Sequence, residues 1–349
     1  MTASSAHVRS GEDAVAQGPT ITTIAARAGV SIASVSRVLN GLPTREDTVR
    51  KVLAAADELG YVPNAVARSL KSNRTHQVAF AMADIGNPTY VAMVREIQPV
   101  LKTAGYRLVL HSTGGDVDDE VDVLRRLGER YADGLIISPL RGITEKHLDL
   151  LIAARAPVVV IGSIPEGAPV DNVRTDSRAG VRLALEHLYG LGRRSIGFLN
   201  GPLDTVPGAA RAAAYADALD GLGLPYDPDL VEVGDFYRSE GAEAAHRLLE
   251  RSRPDAILCA NDLIALGALD VLRAERLRVP EDVALVGMDD TELATAAWPT
   301  LTSVGLGSAE RGLRAAELLL DRLDNGVAEP RIVTVEPTLA VRASTEGAA

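Results

Sequence analysis

The sequence has few of the features that stabilise secreted or membrane-embedded chains. It contains one cysteine, Cys259, in 349 residues. A disulfide framework within one chain is therefore excluded, which fits a reducing compartment. No apolar run reaches the roughly 20 residues that are needed to cross a bilayer. Residues 1–19 lack the apolar centre of a secretion signal, so we expect a disordered tail and a cytoplasmic protein.

The motifs of common enzymes and metal sites are also missing. The sequence has no glycine-rich dinucleotide loop after its first strand-like run, no P-loop, no H-E-x-x-H motif and no G-x-S-x-G motif. Its six histidines and one cysteine do not have the spacing of metal ligands. We therefore expect no enzymatic activity, no cofactor and no metal.

The charge is acidic overall but unevenly distributed. The net charge of −11 argues against a nucleic-acid partner for the chain as a whole. Residues 20–76, however, hold eight basic and four acidic side chains, a net charge of +4, while residues 1–19 carry −1 and residues 77–349 therefore carry −14. A basic head on an acidic body is typical of a phosphate-binding module attached to a separate domain.

The basic segment opens with two short helical patterns around a turn at Gly29. We place the cap of the first helix near Thr22, and Ser31 suits the N-cap of the second. Residues 45–59 predict a longer third helix. Because two helices this short bury little surface alone, they must pack on each other and on the third. We therefore predict a helix-turn-helix domain at 20–62, with its second helix free to enter a DNA major groove.

A hinge and a larger body follow the helical head. Residues 63–76 read as a hinge helix and linker, with Pro63 at its start. Over residues 77–342, short apolar runs alternate with helical patterns, which predicts parallel sheets with helices on both faces. The alternation runs twice, so we expect two doubly wound lobes and a ligand cleft where their strands end. Residues 343–349 read as a tail.

Motifs from Thr20 to about Arg342 resemble those of the lactose-repressor (LacI/GalR) family of bacterial transcriptional regulators. The head motifs are V-S-I-A-S-V-S-R-V-L-N (30–40) and L-G-Y-V-P-N-A-V-A-R-S-L (59–70). The body motifs are D-I-G-N-P (84–88), A-D-G-L-I-I (132–137), L-G-R-R-S-I-G-F-L (191–199), A-N-D-L-I-A-L-G (260–267), V-G-M-D-D (286–290) and L-T-S-V (301–304). Each motif is weak alone, but their combination in this order is specific.

The resemblance implies a homodimer with a body like that of the periplasmic sugar-binding proteins. It also implies that the chain crosses between the lobes three times, so that each lobe is discontinuous. We place the first lobe at about 77–162 and 305–326, and the second at about 163–304 and 327–342.

The head and hinge hold the candidate DNA contacts. By resemblance, Ile32, Ala33 and Arg37 occupy base-reading positions, and an arginine can donate two hydrogen bonds to guanine. The resemblance also implies that Leu70 of each hinge wedges into the central base step from the minor groove. Alternatively, Arg37 is a surface cation and Leu70 packs the linker. The full set is Thr22, Ser31, Ile32, Ala33, Ser34, Ser36, Arg37, Asn40, Asn64, Ala67, Arg68 and Leu70.

The candidate effector site consists of residues that follow strand-like runs in the body. By resemblance, Arg211, Asn261 and Asp289 bind ligand hydroxyls and Phe236 offers a stacking ring, although helix caps or ion pairs are the alternative. We expect Asp262 to cap the helix that follows it. The full set is Arg211, Asn261, Asp289, Phe236, Asn87, Tyr90 and Asp176.

Together these features predict a sequence-specific regulator of transcription. We expect a repressor that binds a pseudo-palindromic operator in double-stranded DNA as a homodimer and is controlled allosterically by a sugar. A purine or nucleoside effector is the main alternative. A sugar-binding transport protein would share the body, but it would need an export signal and no helix-turn-helix.

Overall fold

The computed structural model describes residues 19–62, 74–154, 156–326 and 329–346. The chain divides between Asn73 and Arg74 into two units, a small helical head and an α/β body. This architecture confirms the predicted fold class.

The head contains three helices: α1 (Ile21–Ala28), α2 (Ile32–Leu39) and α3 (Glu46–Glu58). Their small core is made of buried aliphatic side chains: Ile24, Ala25, Val35, Val38, Val52, Ala55 and Ala56. The prediction that α1 is capped near Thr22 was wrong, because Thr20 caps it. The Thr20 hydroxyl accepts from the Thr23 amide (3.3 Å), and the Thr23 hydroxyl accepts from the Thr20 amide (2.8 Å).

The body alternates strands and helices along most of its length. Its strands are β1 (Gln77–Met82), β2 (Arg107–Ser112), β3 (Gly134–Ser138), β4 (Val158–Ile161), β5 (Asp171–Thr175), β6 (Ile196–Asn200), β7 (Val231–Val233), β8 (Ala256–Cys259), β9 (Ala284–Met288), β10 (Thr302–Gly305), β11 (Ile332–Val335) and β12 (Thr338–Ala340). Its α-helices are α4 (Pro88–Thr103), α5 (Val117–Gly128), α6 (Glu145–Ala153), α7 (Ser177–Gly190), α8 (Val206–Gly221), α9 (Arg238–Arg251), α10 (Asp262–Ala274), α11 (Glu292–Ala296), α12 (Ser308–Asn325) and α13 (Ala343–Glu346).

Two six-stranded sheets define the two lobes. The first has the order β11-β5-β4-β3-β1-β2 and is parallel throughout. The second has the order β12-β10-β9-β8-β6-β7, and only its edge strand β12 is antiparallel. Parallel strands buried between helices explain the near-continuous apolar runs in the sequence.

The predicted lobe boundaries were wrong at two places. Strand β5 belongs to the first sheet rather than to the second lobe, and β11 pairs with it there. The first lobe therefore extends to about residue 175 and also includes β11. Strand β5 was not predicted because it begins with polar residues. Asn172 is nevertheless buried, since its side-chain amide donates to the carbonyls of Val160 (2.9 Å) and Gly162 (2.8 Å).

The linker and tail boundaries also need correction. Thr75, assigned to the linker, donates from its amide (2.7 Å) and its hydroxyl (2.9 Å) to the Asp133 carboxylate in the first lobe. Residues 343–346, assigned to the tail, form α13, where the buried Ser344 hydroxyl accepts from the Thr302 amide at 2.8 Å. Both segments are therefore part of the body.

The helices of the described residues were also compared with the length and hydropathy that a membrane span requires. None of them combines the necessary length with a sufficiently apolar sequence.

Candidate functional site

The turn between α1 and α2 sets the geometry of the head. Gly29 ends α1 with φ at +66°, a left-handed conformation that glycine adopts without steric cost. The Ser31 hydroxyl then accepts a hydrogen bond from the Ser34 amide at 3.1 Å, so Ser31 is the N-cap of α2 as the sequence predicted. Both helices of the motif therefore begin and end at well-defined residues.

One face of α2 packs on the head while the other is open. Val35 and Val38 are buried, whereas Ser31, Ile32 and Ala33 are exposed. An isoleucine left 46% exposed on a short helix is available for apolar contacts such as a thymine methyl. The candidates Thr22, Arg37 and Asn40 are exposed as well, and Ser34 and Ser36 are partly exposed.

Two polar candidates on α2 already have partners within the head. The Arg37 guanidinium donates to the Pro43 carbonyl at 2.7 Å, and the Asn40 side chain donates to the Ser36 carbonyl at 2.7 Å. An arginine has five donor hydrogens, so one such contact orients Arg37 and leaves donors for a base edge. The hinge candidates Asn64, Ala67, Arg68 and Leu70 lie outside the described residues.

The body contains a cavity of about 310 Å³ whose wall includes residues of both lobes. All seven candidate effector-binding residues line it: Asn87, Tyr90, Asp176, Arg211, Phe236, Asn261 and Asp289. This convergence follows from the topology, because the carboxyl ends of the parallel strands and the helices that follow them meet at one edge of each sheet.

Three of these candidates are helix caps. The side-chain oxygen of Asn87 accepts from the Thr89 amide (3.0 Å), that of Asp176 from the Arg178 amide (3.0 Å), and that of Asn261 from the Ile264 amide (2.7 Å). Asn261 also donates to the Phe236 carbonyl at 3.0 Å. These residues shape the cavity wall, and they bring helix N-termini with their partial positive charge to it. Whether they contact a ligand stays a prediction.

Arg211 and Asp289 are the charged candidates. Arg211 is only 6% exposed, and its guanidinium donates to the Ala260 carbonyl at 2.6 Å while its Nε has no partner among the described residues. Burial lowers the pKa of Arg211, an effect that the Asp289 charge opposes. Burial raises the pKa of Asp289, which Arg211 opposes in turn. Each charge therefore depends on the other and on what fills the cavity.

The backbone aims Asp289 into the cleft. Its φ is +100°, a conformation that is rare for residues other than glycine, and its amide donates to the Val304 carbonyl at 2.7 Å. Backbone strain of this kind costs on the order of 1–3 kcal/mol and tends to occur at ligand sites.

Phe236 reaches the cavity by packing on a glycine. A Cβ added to Gly201, just after β6, would lie 2.2 Å from the Phe236 ring. The ring therefore needs this glycine in order to pack against the end of β6, where it forms part of the cavity wall.

The prediction for Asp262 was wrong, since its neighbour Asn261 caps α10. Asp262 instead accepts from the Ser303 hydroxyl (2.6 Å) and from the amide (2.7 Å) and hydroxyl (2.8 Å) of Thr291. Burial, reinforced by the Asp289 charge, raises the pKa of Asp262 to about 7. Asp262 thus ties α10 to the ends of β9 and β10.

Sequence reasoning missed Arg311, a second buried arginine on the cavity wall. It lies in the first turn of α12 and is 9% exposed. Thr175 also lines the cavity, with a buried hydroxyl oxygen that has no partner among the described residues. Neither residue belongs to the motifs that identified the family, so only the geometry reveals them. The described ranges hold no group of three or more His, Cys, Asp or Glu side chains that could bind a metal.

An open recognition helix in the head and an interlobe cavity with both polar and apolar lining residues in the body are the features of a DNA-binding regulator with a ligand-binding domain. Residues 20–64 match the bacterial regulatory proteins of the lacI family, and residues 185–345 match the periplasmic binding protein-like domain. The regulator CelR of Thermobifida fusca is 36% identical over 340 residues, covering 93% of this chain and 98% of CelR. The repressor PurR of Photobacterium profundum is 32% identical over 332 residues, with coverage of 94% and 98%.

Solved structures give the same result. A CelR–cellobiose complex matches with a TM-score of 0.71 at 35% identity, covering 93% of this chain and 99% of that one. The lac repressor dimer bound to operator and the anti-inducer ONPF matches with a TM-score of 0.84 at 27% identity, with coverage of 94% and 99%. The chain belongs to the LacI family of bacterial transcriptional regulators, as its motifs predicted. It is a DNA-binding regulator and not an enzyme.

Proposed function

We propose that this regulator is a repressor that binds a pseudo-palindromic operator as a homodimer and changes its operator affinity when a sugar occupies the interlobe cavity. The convergence of all seven effector candidates on that cavity is the observation that carries the proposal. The repressor relatives support the direction of control, and the operator-bound lac repressor dimer supports pairing. We place its action in the cytoplasm, where it would meet DNA.

Pairing two heads would supply the affinity that one head lacks. A single head presents one arginine and small or apolar side chains on the open face of α2. Each good base contact contributes only about 1–3 kcal/mol, so a dimer that reads two half-sites gains both specificity and affinity. The family resemblance adds Leu70 as a wedge that opens the minor groove between the half-sites.

A selection of random DNA with the full-length protein tests this part. We expect an inverted repeat among the recovered sequences, and we expect Leu70→Ala to bind the selected site more weakly than the wild type. Recovered sites without two-fold symmetry would contradict dimeric reading. Equal affinity of Leu70→Ala and wild type would refute the wedge.

The cavity suits a sugar because it combines hydrogen-bonding groups with an aromatic ring. Arg211 can donate to hydroxyl oxygens, Asp289 can accept from hydroxyl groups, and Phe236 can cover an apolar ring face. CelR, a relative over nearly its full length, has been solved with cellobiose. A ligand in the cavity would favour one arrangement of the lobes. The change in operator affinity would then be set by how much more tightly the ligand binds one arrangement than the other.

Operator binding with and without ligand tests the assignment of the cavity. A thermal-shift panel of sugars, sugar acids, sugar phosphates, nucleosides and nucleotides first identifies a ligand, since a ligand at 100 times its Kd adds about 2.7 kcal/mol. We expect this ligand to shift the operator affinity of the wild type. The shift should be lost in Asp289→Ala, which keeps its DNA binding.

The exposed aspartate Asp220 in α8 provides a matched control. Asp220→Ala should respond to the ligand like the wild type, since it does not line the cavity. A full ligand response in Asp289→Ala would refute the site.

A further inference from the structure

We propose that the effector carries a negatively charged group, a carboxylate or a phosphate, and that Arg311 binds it. The inference rests on the proposed effector role of the cavity and specifies the chemistry of its ligand.

Arg311 is a buried cation with almost no hydrogen bonds. It is 9% exposed, and its guanidinium donates only to the Ser308 hydroxyl, at 3.1 Å, while its Nε has no partner among the described residues. A buried charge with so few hydrogen-bonding partners is expensive, because the protein replaces little of the water that it displaces. Arg311 lines the cavity, so a ligand bound there lies next to this under-bonded cation.

The cavity has more buried positive charge than negative charge. Arg211 and Arg311 are both buried there, and Asp289 is the acidic group whose charge acts on both of them. Neither arginine is within ion-pair distance of a carboxylate in the described parts of the chain. One aspartate cannot neutralise two guanidinium groups, so an anionic ligand would complete the charge balance.

The other charged residues on the wall do not remove this excess. Asp176 is the cap of α7, and Arg178 is exposed and pairs with Asp217 at 3.4 Å. Arg174 is exposed at the rim. The N-cap of α12, Gly307, offers no side-chain acceptor to the first turn that holds Arg311. The positive end of the helix dipole therefore adds to the positive potential at Arg311.

A neutral sugar would leave this arrangement unbalanced. Sugar hydroxyls can accept hydrogen bonds from arginine, but they bring no countercharge. A carboxylate or phosphate accepts two parallel hydrogen bonds from one guanidinium, and such charge-assisted bonds are roughly twice as strong as neutral ones. The geometry therefore favours a sugar acid, a sugar phosphate or a ligand of similar size with an acidic group.

Thermal unfolding of the ligand-free protein gives the first test. Replacing an uncompensated buried cation by an apolar side chain of similar length should stabilise the fold, so we expect Arg311→Met to melt at a higher temperature than the wild type, by about 2 °C or more. Arg311→Gln, which keeps hydrogen-bond donors without the charge, should change in the same direction. If both variants melt below the wild type, Arg311 is a structural residue and the proposal is wrong.

Anion binding gives the second test. Inorganic phosphate, compared with chloride at equal ionic strength, should raise the melting temperature of the wild type more than that of Arg311→Met. Arg314→Met is the matched control, because Arg314 lies one turn further along α12, is half-exposed and pairs with Glu317 at 3.0 Å. It should keep the full response, including any phosphate bound by the head. Equal responses in all three proteins would overturn the proposal.

Matched probes then distinguish the source of the charge. Glucose, glucuronate and glucose 6-phosphate differ at one position, so a preference for either anion that Arg311→Met abolishes supports the proposal and separates carboxylate from phosphate. If a neutral sugar is the ligand that shifts operator affinity, and Arg311→Met binds it as well as the wild type does, the charge inference fails while the proposed function stands. If a ligand binds the cavity through Arg311 without changing operator affinity, the proposed function fails instead.

Discussion

The recognition helix and the interlobe cavity use arginine in opposite ways. Arg37 is exposed on α2 and needs no countercharge, whereas Arg211 and Arg311 are buried around a single nearby aspartate. An exposed surface gains affinity by adding many weak contacts, so it benefits from duplication in a dimer. A buried site concentrates electrostatic energy in a few groups, so one ligand can shift a conformational equilibrium. In the proposed function, operator choice and its control therefore rest on different kinds of interaction.

The largest effect that we expect concerns buried charge in the body. The pKa of Asp262 is about 7, compared with 3.8 for an unperturbed aspartate. Because the folded state holds the proton more tightly, stability should fall as pH rises from about 4 to about 7 and then level off, by an upper limit of roughly 4 kcal/mol. Asp262→Asn lacks this titration.

Urea unfolding of both proteins across this range measures the effect. The free energy of unfolding of the wild type minus that of Asp262→Asn should fall as pH rises from about 4 and become constant above about pH 7. A difference that stays constant with pH would show that the carboxyl is already ionised and that its three hydrogen bonds outweigh its burial.

A smaller effect is expected on the exposed side of the comparison. Arg37→Ala should weaken binding to a selected operator by about 1–3 kcal/mol, roughly 5- to 150-fold, and relax the preference at one base position. Arg50→Ala, which removes a cation that pairs with Asp47 in α3, is the control for charge alone. Fluorescence anisotropy with operator and mutated-operator fragments measures both. If Arg37→Ala lost the same affinity for both fragments, and no more than Arg50→Ala loses, Arg37 would contact phosphates and not read a base.

The smallest effect concerns the capping of α1. Thr20→Ala removes half of a reciprocal cap and should destabilise the head by about 1 kcal/mol, without touching the body. Hydrogen exchange should therefore become faster in residues 21–39, while peptides from the two sheets keep their rates. Faster exchange in the sheets would show that the head and body do not unfold separately.

Most of the strands could be predicted from the sequence because buried parallel strands consist of consecutive apolar residues. Gly134–Ser138 and Ala256–Cys259 are examples of such runs. Asp171–Thr175 was missed because its polar residues are satisfied by distant partners, including Arg322 at 2.6 Å from Asp171. Such long-range pairing leaves no local pattern in the sequence.

The site was predictable where motifs mark it and hidden where only folding brings residues together. Arg211, Asn261 and Asp289 stand in recognisable motifs, and the fold brings them to one cavity. Arg311 sits in an ordinary amphipathic helix, so its burial beside Arg211 required the structure. Asn261 rather than Asp262 caps α10, a choice that the sequence alone does not settle because adjacent residues at a helix start are equally suited to capping.

The central claim is that the cavity and the DNA-binding head are energetically coupled, and ligand affinity measured with and without DNA tests it most directly. Isothermal titration of the identified ligand into the full-length protein, free and saturated with operator, should give two Kd values. By linkage, their ratio must equal the ratio of operator Kd values with and without ligand. We predict at least a fivefold difference, about 1 kcal/mol of coupling. Identical ligand Kd values in the two titrations would contradict the account.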